Sequence, residues 1–240
     1  MQRRITVLAI ALAALASGCA SRRPIGHFGD GAFYHTRGHY RIRYGSAPTR
    51  LLPDGWRLTN YDHGDDGAPT AEHVDEVEID ASMLMGRGRA QGIRVPKIDL
   101  LYQQEDGDGE IWVRTMVLPA GWEQASAEQV LQTWASSVEQ GHLTVDPLGR
   151  MPAGHATLTH WGSAVVDGEA AHWVELDVNR GGVDQRVTVV GVRPGHHHWR
   201  RGRRQRFPML LMFGYVSSPD EHEAVRHDFE QLVRRVDIGR

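Results

Sequence analysis

A single cysteine, Cys19, and a single lysine, Lys97, stand in a chain of 240 residues. With no second cysteine, neither an internal disulfide framework nor a cysteine-rich zinc site can form, so the fold must rest on a packed core. A domain of this size supports one, because it buries roughly 70% of the surface that its unfolded chain exposes. The near absence of lysine leaves arginine to carry the positive charge. The formal net charge of −3 argues against general nucleic-acid binding. The apolar stretch from Ile5 to Leu15 is too short to span a bilayer, which takes about 20 residues of helix.

Signatures of chemistry are equally scarce. Ser46 follows Gly45, and Ser163 stands between Gly162 and Ala164, but neither has the second glycine of a nucleophile elbow. Gly86, Gly88 and Gly92 have the wrong spacing and the wrong context for a dinucleotide fingerprint. The carboxylates Asp62, Asp65, Asp66 and Asp75 show no calcium-loop register, and Asp106 and Asp108 mimic only a fragment of one. His222 and Glu223 with His227 have the look of a zinc-binding helix. The histidines are five apart, however, which rotates them roughly 140° from each other at about 100° per residue. Both are expected on the outer side of a final helix, because Val225, Phe229 and Leu232 define its inner side. Glu169, Glu175 and Asp177 are expected on the wet face of a sheet.

What is present begins with an address. Arg3 and Arg4, the apolar stretch after them and the small-residue run Ala16-Ser17-Gly18 before Cys19 follow the order of a secretory signal. Together they resemble a bacterial lipobox, although Ala16 replaces the commoner leucine. That resemblance implies cleavage before Cys19, diacylation of its thiol and a membrane anchor. It also removes Cys19 as a nucleophile, and losing Arg3 and Arg4 takes the formal charge to −5. Ala20 in place of aspartate resembles outer-membrane sorting. Residues 1–18 are therefore expected to be signal peptide, 19–31 a lipidated tether and 32–240 a single domain.

Within that domain Tyr40, Ile42 and Tyr44 alternate with His39, Arg41 and Arg43, the period of a strand with one face on a core. Residues Asp62 to Asp80 hold eight carboxylates with no arginine or lysine and read as a solvated loop. Ile98 to Gln103 and Ile111 to Leu118 read as a hairpin around Asp-Gly turn chemistry. Ser126 and Gln129 form a capping box for a helix that buries Val130, Leu131, Trp134 and Val138 and stops at Gly141. Ala156 to Val166, Glu169 to Asn179 and Val183 to Val192 read as three antiparallel strands turning at Asp167-Gly168 and Gly181-Gly182. After Phe207 to Val216, the most apolar strand, Ser218-Pro219-Asp220-Glu221 is expected to cap the last helix.

The order of these elements from Phe33 to Ile238, with the apolar strand ending in Tyr215-Val216-Ser217 and a last helix behind it, resembles the Mog1/PsbP-like architecture. That resemblance implies an α+β fold, a twisted and mostly antiparallel sheet flanked by helices, in proteins that bind or stabilise partners. No cofactor and no enzymatic activity are expected. The expected function is a non-catalytic binding or assembly factor, lipid-anchored in the envelope and facing the periplasm from the outer membrane. The alternative is an envelope hydrolase or metal-binding protein with an ungrouped His/Asp/Glu site. One segment departs from the compact pattern: His196, His197, His198, Trp199, Arg200, Arg201, Arg203, Arg204 and Arg206 crowd together without a carboxylate. Guanidinium forks suit phosphate and carboxylate groups, so the segment is a candidate dock for anionic headgroups or an acidic envelope protein. Three consecutive histidines on extended backbone point alternately and cannot share one metal ion.

Overall fold

A computed structural model describes residues 26–29, 31–35, 40–44, 51–59, 61–63, 69–71, 77–79, 93–95, 98–118, 121–122, 124–141, 155–195, 197–200, 203–206 and 209–239. Its strands are, in order, β1 (Gly26–Gly29), β2 (Ala32–His35), β3 (Tyr40–Arg43), β4 (Trp56–Leu58), β5 (Tyr61–His63), β6 (Pro69–Ala71), β7 (Val77–Ile79), β8 (Ile93–Val95), β9 (Ile98–Gln104) and β10 (Glu110–Val117). Helix α1 (Ala127–Glu139) precedes β11 (His155–Val166), β12 (Glu169–Arg180), β13 (Val183–Val192), β14 (His197–Arg200), β15 (Arg203–Arg206) and β16 (Met209–Ser217). Helix α2 (His222–Val233) and β17 (Val236–Ile238) close the chain.

The main sheet has seven strands in the order β11-β12-β13-β16-β10-β9-β4, and every pairing is antiparallel. Its centre is β16, nine residues all buried, as expected of a strand with helices or sheet on both faces. Successive side chains of β16 divide between two cores. Leu210, Met212 and Val216 pack with Val130, Leu131 and Trp134 of α1, while Leu211, Phe213 and Tyr215 pack with Val225, Phe229 and Leu232 of α2. A second sheet, β1-β2-β3-β17, joins the α2 side through Phe33, Tyr40, Ile42, Val236 and Ile238. The expected helical flanks are thus present but thin. One helix covers each face, and the α2 face is shared with that second sheet, so the described residues are mostly β.

Local chemistry explains the boundaries. The capping box forms in full: Gln129 donates its amide to Ser126 Oγ (3.1 Å) and its side-chain oxygen accepts from the Ser126 amide (2.9 Å). The turn between β11 and β12 places Asp167 at φ 49° and Gly168 at φ 79°, the left-handed pair that matches the twist of a two-residue hairpin. The Asp167 carboxylate then accepts from the Ile238 amide (2.7 Å), tying this hairpin to the last strand.

Several expectations are corrected. The segment read as tether contributes β1, paired with β2 from Gly26↔His35 to Gly29↔Ala32. The acidic stretch contains short paired strands, β5 with β6 and β7 with β8. Helix α2 has Glu221 at its N-cap with no side-chain cap; Ser218 instead takes part in the preceding turn, and its amide donates to Asp108 (3.0 and 3.1 Å). Cys19 and the rest of the signal and tether up to residue 25 lie outside the described residues, as do His196 and Arg201.

The two sheets are joined by a buried polar knot. Asp99 on β9 is fully buried, and its Oδ2 accepts from Tyr40 Oη on β3 and Thr115 Oγ1 on β10, both at 2.7 Å. His35 on β2 brings Nε2 to 3.4 Å from the other carboxylate oxygen and stacks on Tyr40. A buried carboxylate holds only where such donors replace water.

Candidate functional site

The cross-strand register assembles a row on the α2 face of the main sheet. His160 lies opposite Glu175, Glu175 opposite Thr188, and Thr188 opposite Tyr215. Strand alternation therefore puts a histidine, a carboxylate, a hydroxyl and a phenol side by side. The first turn of α2 closes over this row with His222, which is buried and stacks on Tyr215 with centroids 4.5 Å apart. Its Nδ1 lies 3.1 Å from Ser217 Oγ, and its Nε2 lies 3.0 Å from Thr188 Oγ1 and 3.8 Å from Glu175 Oε2.

One set of proton positions satisfies this chain. Ser217 donates to Nδ1, Nε2–H donates to Thr188, and Thr188 donates to Glu175 Oε2 at 3.5 Å. Arg186 lies beside it, 2.8 Å from Asp177 and 3.8 Å from Glu175. Burial dominates the electrostatics. It pushes His222 down to about 4 against the pull of Glu175, so the ring is neutral near pH 7, and it pushes the Tyr215 phenol up to about 12.

His222 therefore corrects the expectation of an outward histidine, while His227 is exposed as expected. The helical wheel held the signal: His222 and Phe229 are seven apart, about 20° on the wheel, so His222 belongs to the stripe of Val225, Phe229 and Leu232. Glu175 is likewise not on a wet face, with 17% of its side chain exposed. Glu169, by contrast, approaches the backbone so closely at Gly195 that an added Cβ there would sit 2.5 Å from its Oε1.

Beside this row opens a groove of about 420 Å³ between β11–β13, β16 and the flank of α2. Its apolar lining includes Val166, Trp173, Val190, Tyr215, Phe229 and Val233, with Arg226, Glu230 and Arg234 along the helix and Glu175 and Thr188 at the polar end. Gly162 makes one wall possible, because a Cβ there would lie 2.7 Å from Trp173 Nε1. The helix charges are paired among themselves: Arg226 with Glu230 (3.0 Å) and Glu223 (3.4 Å), and Arg234 with Glu230 (3.3 Å).

The arginine segment named from the sequence forms a separate two-stranded ribbon. His197 pairs with Arg206, His198 with Gln205, Trp199 with Arg204 and Arg200 with Arg203. Among the described residues no group of three or more His, Cys, Asp or Glu side chains is placed to hold a metal ion. Among the same residues no helix is long and apolar enough to cross a membrane.

No protein-family model matches the chain. No curated protein matches it in sequence. Among solved structures it is similar to cyanobacterial PsbP (CyanoP) from Synechocystis sp. PCC 6803, with a TM-score of 0.44 and 13% identity over 92% of this chain and 96% of that one. It is also similar to LpqN, described as involved in cell envelope biogenesis of Mycobacterium tuberculosis (TM-score 0.41, 11% identity, 77% and 79% covered). A third is protein PA94 of unknown function from Pseudomonas aeruginosa (TM-score 0.37, 11% identity, 74% and 94% covered). Similarity this low assigns no function.

Proposed function

We propose that this protein is a lipoprotein of the bacterial envelope, held through Cys19 in the outer membrane with its domain in the periplasm, and that the domain binds rather than catalyses. The observation that carries the binding reading is the closed hydrogen-bond chain from Ser217 through His222 and Thr188 to Glu175. A serine, a histidine and a carboxylate are all there, but permuted. The carboxylate lies on the same side of the ring as Thr188, among the described residues Nδ1 is paired with the Ser217 hydroxyl rather than a carboxylate, and Ser217 is fully buried. A general base needs a ring nitrogen within reach of a substrate proton, and His222 is buried and does not line the groove.

What stays open is the groove, whose size falls within the roughly 300–1,000 Å³ of small-molecule sites. Because its arginines are already paired, an uncharged amphipathic molecule fits best, its apolar body on Trp173, Val190 and Phe229 and a hydrogen-bonding head at Thr188 and Glu175. Titration with n-octyl glucoside below its micellar concentration is expected to give saturable NMR shifts at the Val166, Val190 and Val233 methyls. Ala164→Phe, which fills the groove, should abolish them while leaving the rest of the spectrum in place. Shifts scattered over the surface, or unchanged in the filled variant, would contradict the reading.

The ribbon β14–β15 takes the second contact with the membrane in this proposal, its arginines against anionic headgroups. Vesicle binding by the non-lipidated chain should weaken as salt rises, since exposed charges are screened beyond about 10 Å at 0.1 M. Changing Arg200, Arg201, Arg203 and Arg204 together to serine should remove low-salt co-sedimentation with anionic vesicles. Equal sedimentation of variant and parent would end the headgroup idea and leave an acidic envelope protein as the ribbon's partner.

A further inference from the structure

Strand β11 ends the seven-stranded sheet and, among the described residues, pairs only with β12. Edge strands ordinarily carry charges, prolines or bulges that prevent further pairing. Along its 12 residues, HATLTHWGSAVV, β11 carries no aspartate, glutamate, lysine, arginine or proline. Its first half is nonetheless closed. A register shift interrupts it between Leu158 and His160, and the Glu139 carboxylate from α1 accepts the Leu158 amide at 2.8 Å.

Among the described residues the second half has no such guard. Trp161 is 61% exposed and Val165 71%, two of the three large hydrophobic side chains that stand out in solvent among the described residues. Alternation puts them with exposed Ser163 on one face of the strand, while Gly162, Ala164 and Val166 take the other, where Val166 joins the α2-side core. An uncharged strand edge with apolar side chains of this size is a template for pairing with another chain.

The arrangement is self-complementary. We infer that this edge pairs with the same edge of a second copy of the chain, antiparallel and two-fold about Ser163. In that register Trp161 lies opposite Val165 of the second copy, and Val165 opposite its Trp161, so both exposed pairs become aromatic against β-branched contacts. On the other face Gly162 meets Ala164, small against small, which keeps the crossing clear beside the Trp173 wall. Neither edge brings a formal charge, so nothing repels. The register shift and Glu139 confine the overlap to residues 160–166, which selects this register over longer ones.

Ser163 then faces its own counterpart at the two-fold axis, where directly opposite Cα atoms lie about 4.5–5.5 Å apart, within disulfide range. Ser163→Cys in the full chain, expressed in the envelope and run on a non-reducing gel, is expected to give a reducible band at twice the monomer mass. The parent, whose only cysteine is Cys19, and a Thr157→Cys control in the closed half should not. Adding Trp161→Lys and Val165→Lys to Ser163→Cys should remove the dimer, with circular dichroism confirming that the domain is folded. Absence of the dimer band from Ser163→Cys, an equal band from Thr157→Cys, survival of the band in the lysine variant, or cross-linking to a different protein would each overturn self-pairing.

Discussion

Replacing Asp99 by alanine is expected to lower the unfolding free energy by ~3–5 kcal/mol. The substitution removes an acceptor shared by two buried donors, the Tyr40 and Thr115 hydroxyls, each 2.7 Å from the same carboxylate oxygen. A buried polar group without a partner costs about 1–3 kcal/mol. It also leaves His35 beside an empty space and cuts the polar link between β2–β3 and β9–β10. Asp99→Asn should lose distinctly less, because its amide oxygen can still accept from both hydroxyls. The discriminating measurement is urea unfolding of both variants, with amide exchange read on β2 and β3. A loss below about 1 kcal/mol for alanine would mean that the knot does not hold the sheets together.

Acid should weaken the domain through His222. Its folded value is lowered to about 4 by burial, against about 6.5 for an unfolded histidine. Between those values the unfolded chain binds the proton and the folded one does not, so stability is fully present above pH ~6.5 and is lost as pH falls toward 4. The loss attributable to this residue is on the order of 2 kcal/mol from pH 7 to pH 5 and on the order of 3 kcal/mol by pH 4. Glu175, Asp177, Glu223 and Arg186 surround the ring electrostatically, so the difference between parent and His222→Gln isolates the histidine from the general acid response. Parallel stability–pH curves for the two would show that the ring titrates as if exposed.

Legibility in the sequence followed the range of the interaction. Where a few neighbouring residues carry the structure, reading was direct. Ser126 and Gln129 cap α1, Asp167-Gly168 turns β11 into β12, and β-rich runs bounded by such turns give β9, β10 and the β11–β13 meander within a residue or two. Where a partner far along the chain supplies the stability, local pattern had nothing to show. Gly26–Gly29 is too short and glycine-rich to announce a strand, and exists through β2. Val236–Ile238 pairs with Tyr40–Ile42 across most of the chain, reinforced by Asp237 between Arg41 and Arg43 at 2.8 and 3.1 Å.

The candidate site failed to emerge for a related reason. Glu175 and Thr188 share a face only once the β12–β13 register is known, and His222 joins them only once α2 is laid on β16. The wheel position of His222, about 20° from Phe229, is nevertheless legible in the sequence and places it on the inner stripe. The arginine segment shows the opposite case. Its composition was conspicuous in sequence, and the backbone adds that it forms a ribbon apart from both large sheets.

The proposed location turns on acylation of Cys19, and metabolic labelling with palmitate tests it most directly. Wild-type protein should take up label and fractionate with membranes, whereas Cys19→Ala should take up none and accumulate as an uncleaved or soluble species. Label entering Cys19→Ala, or an unlabelled and soluble wild-type protein, would contradict the lipid anchor.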